Sequence, residues 1–101
     1  MDIQKLMKQA QQMQAGMQKT QEELANKNVE ASVGGGKVTV VANGAGDVQS
    51  IRIDPSVVDP ADVEFLQELV LSGVQEAVTK GKEMAAAEMS KLTGGLGLPG
   101  M

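Results

Sequence analysis

Residues 29–54 read VEASVGGGKVTVVANGAGDVQSIRID, and the fold turns on them. Val29-Glu30-Ala31-Ser32-Val33 alternates apolar and polar side chains, the period of a half-buried strand. Gly34-Gly35-Gly36 offers a turn without Cβ clashes, and Lys37 to Ala42 resumes the strand with β-branched Val38, Thr39, Val40 and Val41. The two runs make a hairpin. Asn43-Gly44 supplies residue types that tolerate positive φ, so a second turn is expected there, leading into a third strand with Val48, Ile51 and Ile53 that stops at Asp54-Pro55. Three short strands form a platform too small to be stable alone.

The platform is flanked by two helical patterns. On its N-terminal side Ile3, Leu6, Ala10, Met13, Met17, Thr20 and Leu24 recur in alternating steps of three and four, a heptad seam, with glutamines filling the other face. This predicts a helix over 2–26, with Gly16 its weak point. The methionine and leucine stripe reads as a packing surface, because thioethers fill irregular gaps adaptably. On the C-terminal side Asp59 is placed to cap a helix, Pro60 suits the first helical position, and Asp62 and Glu64 favour the first turn. A second helix is therefore expected over 60–92. Gly73 and Gly81 lie on one of its faces, which implies close packing there. Thr93 to Met101 is rich in glycine with one proline and is expected to be a mobile tail, 93–101.

These elements give an α+β chain, α-β-β-β-α, with a three-stranded antiparallel meander between two long helices in a single domain, 1–92. A helix of about 25 residues is roughly 37 Å long and a six-residue strand roughly 20 Å, so both helices must overhang the sheet. Lying antiparallel, they would form an arm, with the lysines gathered at its far tip. Apolar surface at the arm's base and an open strand edge invite a second copy, so a two-fold homodimer is expected.

Composition narrows the chemistry. The 101 residues contain no His, Cys, Tyr or Trp, so imidazole or thiolate catalysis and the usual zinc sites cannot be built. Asp59 and Asp62 have structural work at a helix start, and Glu22-Glu23 lacks an apolar neighbourhood that would raise a pKa. Gly34-Gly35-Gly36-Lys37 lacks the hydroxyl residue and the earlier glycine of a phosphate loop. With a single aromatic, Phe65, base stacking along a single strand is also unsupported. No enzyme, cofactor, metal or small-molecule substrate is expected. No apolar run approaches the length of a bilayer span, and a cytoplasmic protein without a membrane partner is expected.

Charge is segregated along the chain. The formal net charge is −4, yet residues 1–21 carry +2 and residues 79–92 carry +1, against −7 for residues 22–78. Lys5, Lys8, Lys19, Lys80, Lys82 and Lys91 can be read as solubilising surface or as contacts to duplex phosphates. A protein-interaction module using the heptad seam and the tail is the alternative, favoured by the overall acidity.

Taken together, the Gln- and Met-rich first helix, Val29-Glu30-Ala31, Gly34-Gly35-Gly36-Lys37-Val38, Asn43-Gly44, Ile53-Asp54-Pro55 and the closing Thr93-Gly94-Gly95-Leu96 with Leu98-Pro99-Gly100 resemble the bacterial YbaB/EbfC family over nearly the whole chain. The resemblance implies a tweezer-like α-β-α homodimer in the nucleoid that binds double-stranded DNA and alters its conformation. It also implies roles in nucleoid organisation, gene regulation and DNA protection. DNA contact in that family lies on the projecting helices, which here points to Lys5, Lys8, Lys19, Lys80, Lys82 and Lys91. With Arg52 the only arginine, and on the platform, weak sequence selectivity is expected.

Overall fold

The computed structural model describes residues 2–94. Helix α1 (Ile3–Ala25) runs into strands β1 (Asn28–Val33), β2 (Val38–Asn43) and β3 (Val48–Ile53); a single 3-10 turn at Pro55–Val57 then precedes helix α2 (Val63–Gly94). The sheet is an antiparallel meander in the order β1-β2-β3, so the architecture expected from the sequence is the one observed. Ala31 pairs with Val40, Val40 with Ile51, and Val38 with both Val33 and Ile53. A register shift between Val41 and Ala42 brings Ala42 opposite Val48 and so keeps Val48, Ile51 and Ile53 on the same face as Val38, Val40 and Ala42.

Helix α2 lies across that face, over β1 and β2. The core is correspondingly small: Ala31, Val38, Val40, Ala42 and Ala77 are buried, with Val29, Val33, Val57, Leu69, Val70 and Val74 packed around them. Two glycines let the helix sit this low. A Cβ on Gly73 would stand 2.9 Å from Val40 Cγ2, and one on Gly81 would strike the Asn43 carbonyl oxygen. The close packing read from their spacing is thus present.

The second turn is built differently from the expectation. Asn43 is the last residue of β2, no positive φ occurs at Asn43 or Gly44, and the left-handed position is Gly46 at φ +86°. Gly44 is required by proximity instead, since a Cβ there would lie 2.8 Å from both the Cβ and the carbonyl oxygen of Leu24. Buried Asn43 organises the turn. Its Nδ2 donates to the Ala25 carbonyl (3.0 Å), while its Oδ1 accepts from the amides of Ala45 (3.0 Å) and Asp47 (2.9 Å). One side chain thereby fastens the end of α1 to the sheet.

The start of α2 also needs correcting. Asp59 Oδ1 accepts from the Ala61 amide (2.9 Å), and the Asp59 carbonyl from the Asp62 amide (2.9 Å), so Asp59-Pro60 opens a tight turn rather than the helix. The helix begins three residues later, where Asp62 Oδ1 accepts from the Phe65 amide at 3.3 Å. Proline's fixed φ serves a turn as well as a helix start, so the signal appeared one turn early. At the other end, Thr93 and Gly94 belong to α2, which takes them out of the expected tail; residues 95–101 lie outside the described residues. Helix α1 agrees with expectation to within one residue at each end, capped by Asp2 through the amides of Gln4 and Lys5.

Asp54 closes the sheet and starts the 3-10 turn. Its carboxylate accepts from the Ser56 amide at 2.8 Å and lies 3.5 Å from Lys37 Nζ. The hydrogen bonds from Ser56, aided by the Lys37 charge, hold its pKa below the ordinary carboxylate value. A depressed pKa means that the folded chain gives up this proton more readily than the unfolded one. The stabilisation is therefore complete above the ordinary aspartate pKa and is lost as the pH falls through the lowered value. Asp54→Asn should flatten that part of the acid-unfolding curve measured by circular dichroism; an unchanged curve would show that the carboxylate contributes nothing.

Candidate nucleic-acid interface

The molecule is long. Its radius of gyration is 19.5 Å and its longest extent 71 Å; a compact chain of this length would have a radius of gyration of about 13 Å. The excess is the arm formed by α1 and the second half of α2. Leu24 and Gln21 share a groove with Ala85 and Met89, and Met13 and Gly16 share the next with Leu92. The helices are antiparallel, and the α1 positions covered along their seam are Met13, Gly16, Thr20 and Leu24, so that Met13, Thr20 and Leu24 of the predicted heptad face α2 while Met17, Leu6 and Ile3 stay exposed.

This pairing fixes where each lysine stands, and the six do not meet at one tip. Lys80 and Lys82 are at the base. Lys80 Nζ donates to the Glu30 carbonyl of β1 at 3.0 Å, and the Lys82 methylenes run past Gly46 in the β2–β3 turn. Lys91 is midway along the arm and 3.3 Å from Glu88 on its own helix. Lys5 and Lys8 lie beyond the last described turn of α2, because Met13 already faces Leu92. Lys5 is about 28 Å from Leu24 along the helix axis, at 1.5 Å per residue. The sequence shows that the helices could be antiparallel but not their stagger, which the Asn43 anchor sets.

Lys5, Lys8 and Lys19 share a setting that the other three lack. They occupy positions of α1 outside its seam, are solvent-exposed, and take part in none of the ion pairs found among the described residues. From Ile3 to Gln21 there is no acidic side chain at all. The surface between the lysines is glutamine, which can donate to phosphate oxygens without repelling them. Arg52, by contrast, is on β3, 4.0 Å from Glu30 and away from the arm.

A second surface was not singled out from the sequence. On α2 the row Leu66, Val70, Val74, whose last two members pack against the core on one side, flanks on the other a cleft of about 430 Å³ lined also by Gln67 and Leu71. The row faces β3. Lys80, on the opposite side, reaches β1, whereas Val78, next in the row, reaches the Gly46 turn that leads into β3. Every residue of β3 is exposed, Ile51 to 44%, and Leu71 is 58% exposed. Reading α2 for two adjacent rows four residues apart, rather than for one face, would have found this strip. No helix among the described residues is long and apolar enough to cross a membrane.

Comparison with known proteins gives these surfaces a context. The chain is 58% identical over 101 residues to a protein named nucleoid-associated protein from Acetivibrio thermocellus, covering 99% of this chain and 89% of that one. It is 56% identical over 99 residues to one of the same name from Akkermansia muciniphila, covering 98% and 95%. In fold it is similar to the crystal structure of an uncharacterized protein from Helicobacter pylori, with a TM-score of 0.70, 24% identity and coverage of 95% and 97%. The family model for YbaB/EbfC DNA-binding proteins matches residues 1–96, nearly the full length, and the chain belongs to that family.

Proposed function

We propose that the chain works in the nucleoid as a two-fold homodimer whose α1 arms hold duplex DNA by its phosphates, with little sequence preference, and change the path of the duplex. The observation that carries this reading is the exposed stretch from Ile3 to Gln21, which bears Lys5, Lys8 and Lys19 and no acid, on a chain whose net charge is −4. A polyanion approaching an acidic protein is repelled except where positive charge stands clear of the acids, and the arm supplies that separation. Lys82 joins from the base; Lys80, whose ammonium is tied to the Glu30 backbone carbonyl, and Lys91, paired with the Glu88 carboxylate, contribute less. Weak selectivity fits an arm without arginine, whose planar guanidinium is the group best shaped for bidentate reading of guanine. The names carried by the curated relatives support the nucleoid setting.

Dimerisation is supported by the apolar strip in which exposed Leu71, Ile51 and Ile53 adjoin the partly buried row Leu66, Val70, Val74. A core this small gains from burying it, and two-fold pairing would give a duplex two arms.

The test is fluorescence anisotropy with unrelated duplexes of equal length at several salt concentrations, for the wild type and Lys5→Ala/Lys8→Ala/Lys19→Ala. Wild-type affinity should be similar for all sequences and fall with salt. The triple variant should bind at least tenfold more weakly, its log–log salt slope shallower by about 0.9 for each phosphate that it no longer neutralises. An unchanged affinity and slope would remove this face from the interface. Failure of the wild type to bind any duplex, with stoichiometric capture of a protein partner, would favour the interaction-module reading instead.

A further inference from the structure

The joint between the two helices of the arm is built on sulfur. Of the seven methionines, Met13 and Met89 line the grooves between α1 and α2, and Met17, one helical turn on from Met13, lies at the exposed edge of the same joint. Little else holds α1 in place: Leu24 is its one buried residue, and beyond it the seam is only half covered. Met17 is 36% exposed, and Met13 and Met89 border open grooves, so small solutes can reach them. The chain contains no Cys, Trp, Tyr or His, so its thioethers are the side chains that a mild oxidant attacks.

We propose that this seam is an oxidative modification site, at which conversion of Met13, Met17 and Met89 to sulfoxides by hydrogen peroxide unfastens α1 from α2. A lone pair on sulfur attacks one peroxide oxygen, the S–O bond forms as the O–O bond breaks, and the departing oxygen leaves as water with both protons. Sulfur loses two electrons and peroxide gains them. Each event replaces a pliable apolar group with a strongly dipolar one, in a seam whose facing groups are Leu24, Ala85 and Leu92. The end of α1 near Asn43 stays anchored, so the arm opens from its outer part while the sheet and its core remain intact. Sulfoxide reductases acting with a thiol reductant would restore the thioethers and close the arm. This state of the joint can be measured without DNA, so it stands or falls separately from the phosphate contacts above.

The experiment is hydrogen exchange with peptide mapping on the full chain before and after peroxide, beside Met13→Leu/Met17→Leu/Met89→Leu. Leucine keeps the seam apolar but cannot be oxidised, while Met7 and Met84 remain as internal controls. Oxygen should be gained at Met13, Met17 and Met89, and α1 amides between residues 8 and 20 should exchange about tenfold faster while β2 is unchanged. The treated leucine variant should stay slow. Reductase treatment of the oxidised wild type should restore slow exchange, a reading that does not depend on the variant folding. The proposal is overturned if Met13 and Met89 take up no oxygen in the folded protein, if fully oxidised α1 exchanges at the untreated rate, or if removing the oxygen leaves exchange fast.

Discussion

Replacing Gly81 by alanine is expected to lower folding stability by about 3 kcal/mol, the upper end of what overpacking a well-filled site usually costs. The same change at Gly16 should raise stability by up to about 1 kcal/mol, because alanine is the better helix former and meets no obstacle. Both glycines are helical, so propensity favours alanine at each; packing decides the sign. Beyond the helix's own adjoining backbone no heavy atom lies within 4 Å of a Cβ on Gly16, whereas a Cβ on Gly81 runs into the carbonyl oxygen of Asn43, a backbone atom that cannot rotate aside. To admit the methyl group, α2 must lift from the sheet, loosening its own Ala77 from the core around Val40 beneath it. Urea denaturation at one fixed protein concentration measures both, since association would otherwise shift the midpoint. A Gly81→Ala protein as stable as the parent would mean that α2 does not lie this close to β2.

The second large effect is expected from Leu71→Glu. Leu71 is exposed in the single chain, so a carboxylate there should change the fold's own stability by less than about 0.5 kcal/mol. If the cleft beside it is the dimer contact, symmetry places the charge in the interface twice, desolvated and without a partner, at several kcal/mol each. Sedimentation should show the wild type as a dimer and the variant as a folded monomer at the same concentration. Duplex affinity should fall with it, because one arm alone reaches half as many phosphates. A variant that remains dimeric would move the interface away from this strip, and a monomeric wild type would end the two-armed reading.

The parts legible in the sequence were those governed by local periodicity. The strands followed from alternation in Val29 to Val33 and β-branching in Val38 to Val41, and α1 from an unbroken heptad. What escaped depended on neighbours distant in the chain. Gly44 looked like a turn glycine, but its constraint is Leu24, twenty residues earlier. Asp59 and Asp62 are both competent caps, and only the path of the intervening chain selects the second. The six lysines were recognisable as candidates, yet their spread along the arm follows from the stagger of α1 against α2, which no local pattern encodes. The apolar strip on α2 was not singled out, because only the sheet's position shows that Leu66, Val70 and Val74 keep one flank open while Val70 and Val74 pack on the core with the other.

Asn43 carries a mechanical consequence. Its side chain grips the last turn of α1 and its carbonyl meets α2 at Gly81, so the relative tilt of the two rods is set at a single pivot. A rotation of about 10° there would swing Lys5 by roughly 5 Å, since it sits at the end of a lever about 28 Å long. That sweep spans about three phosphate charges of a duplex, at roughly 1.7 Å of axis per charge. A change at one buried amide could therefore re-aim the outermost cations by several steps along a duplex while every strand stays where it is.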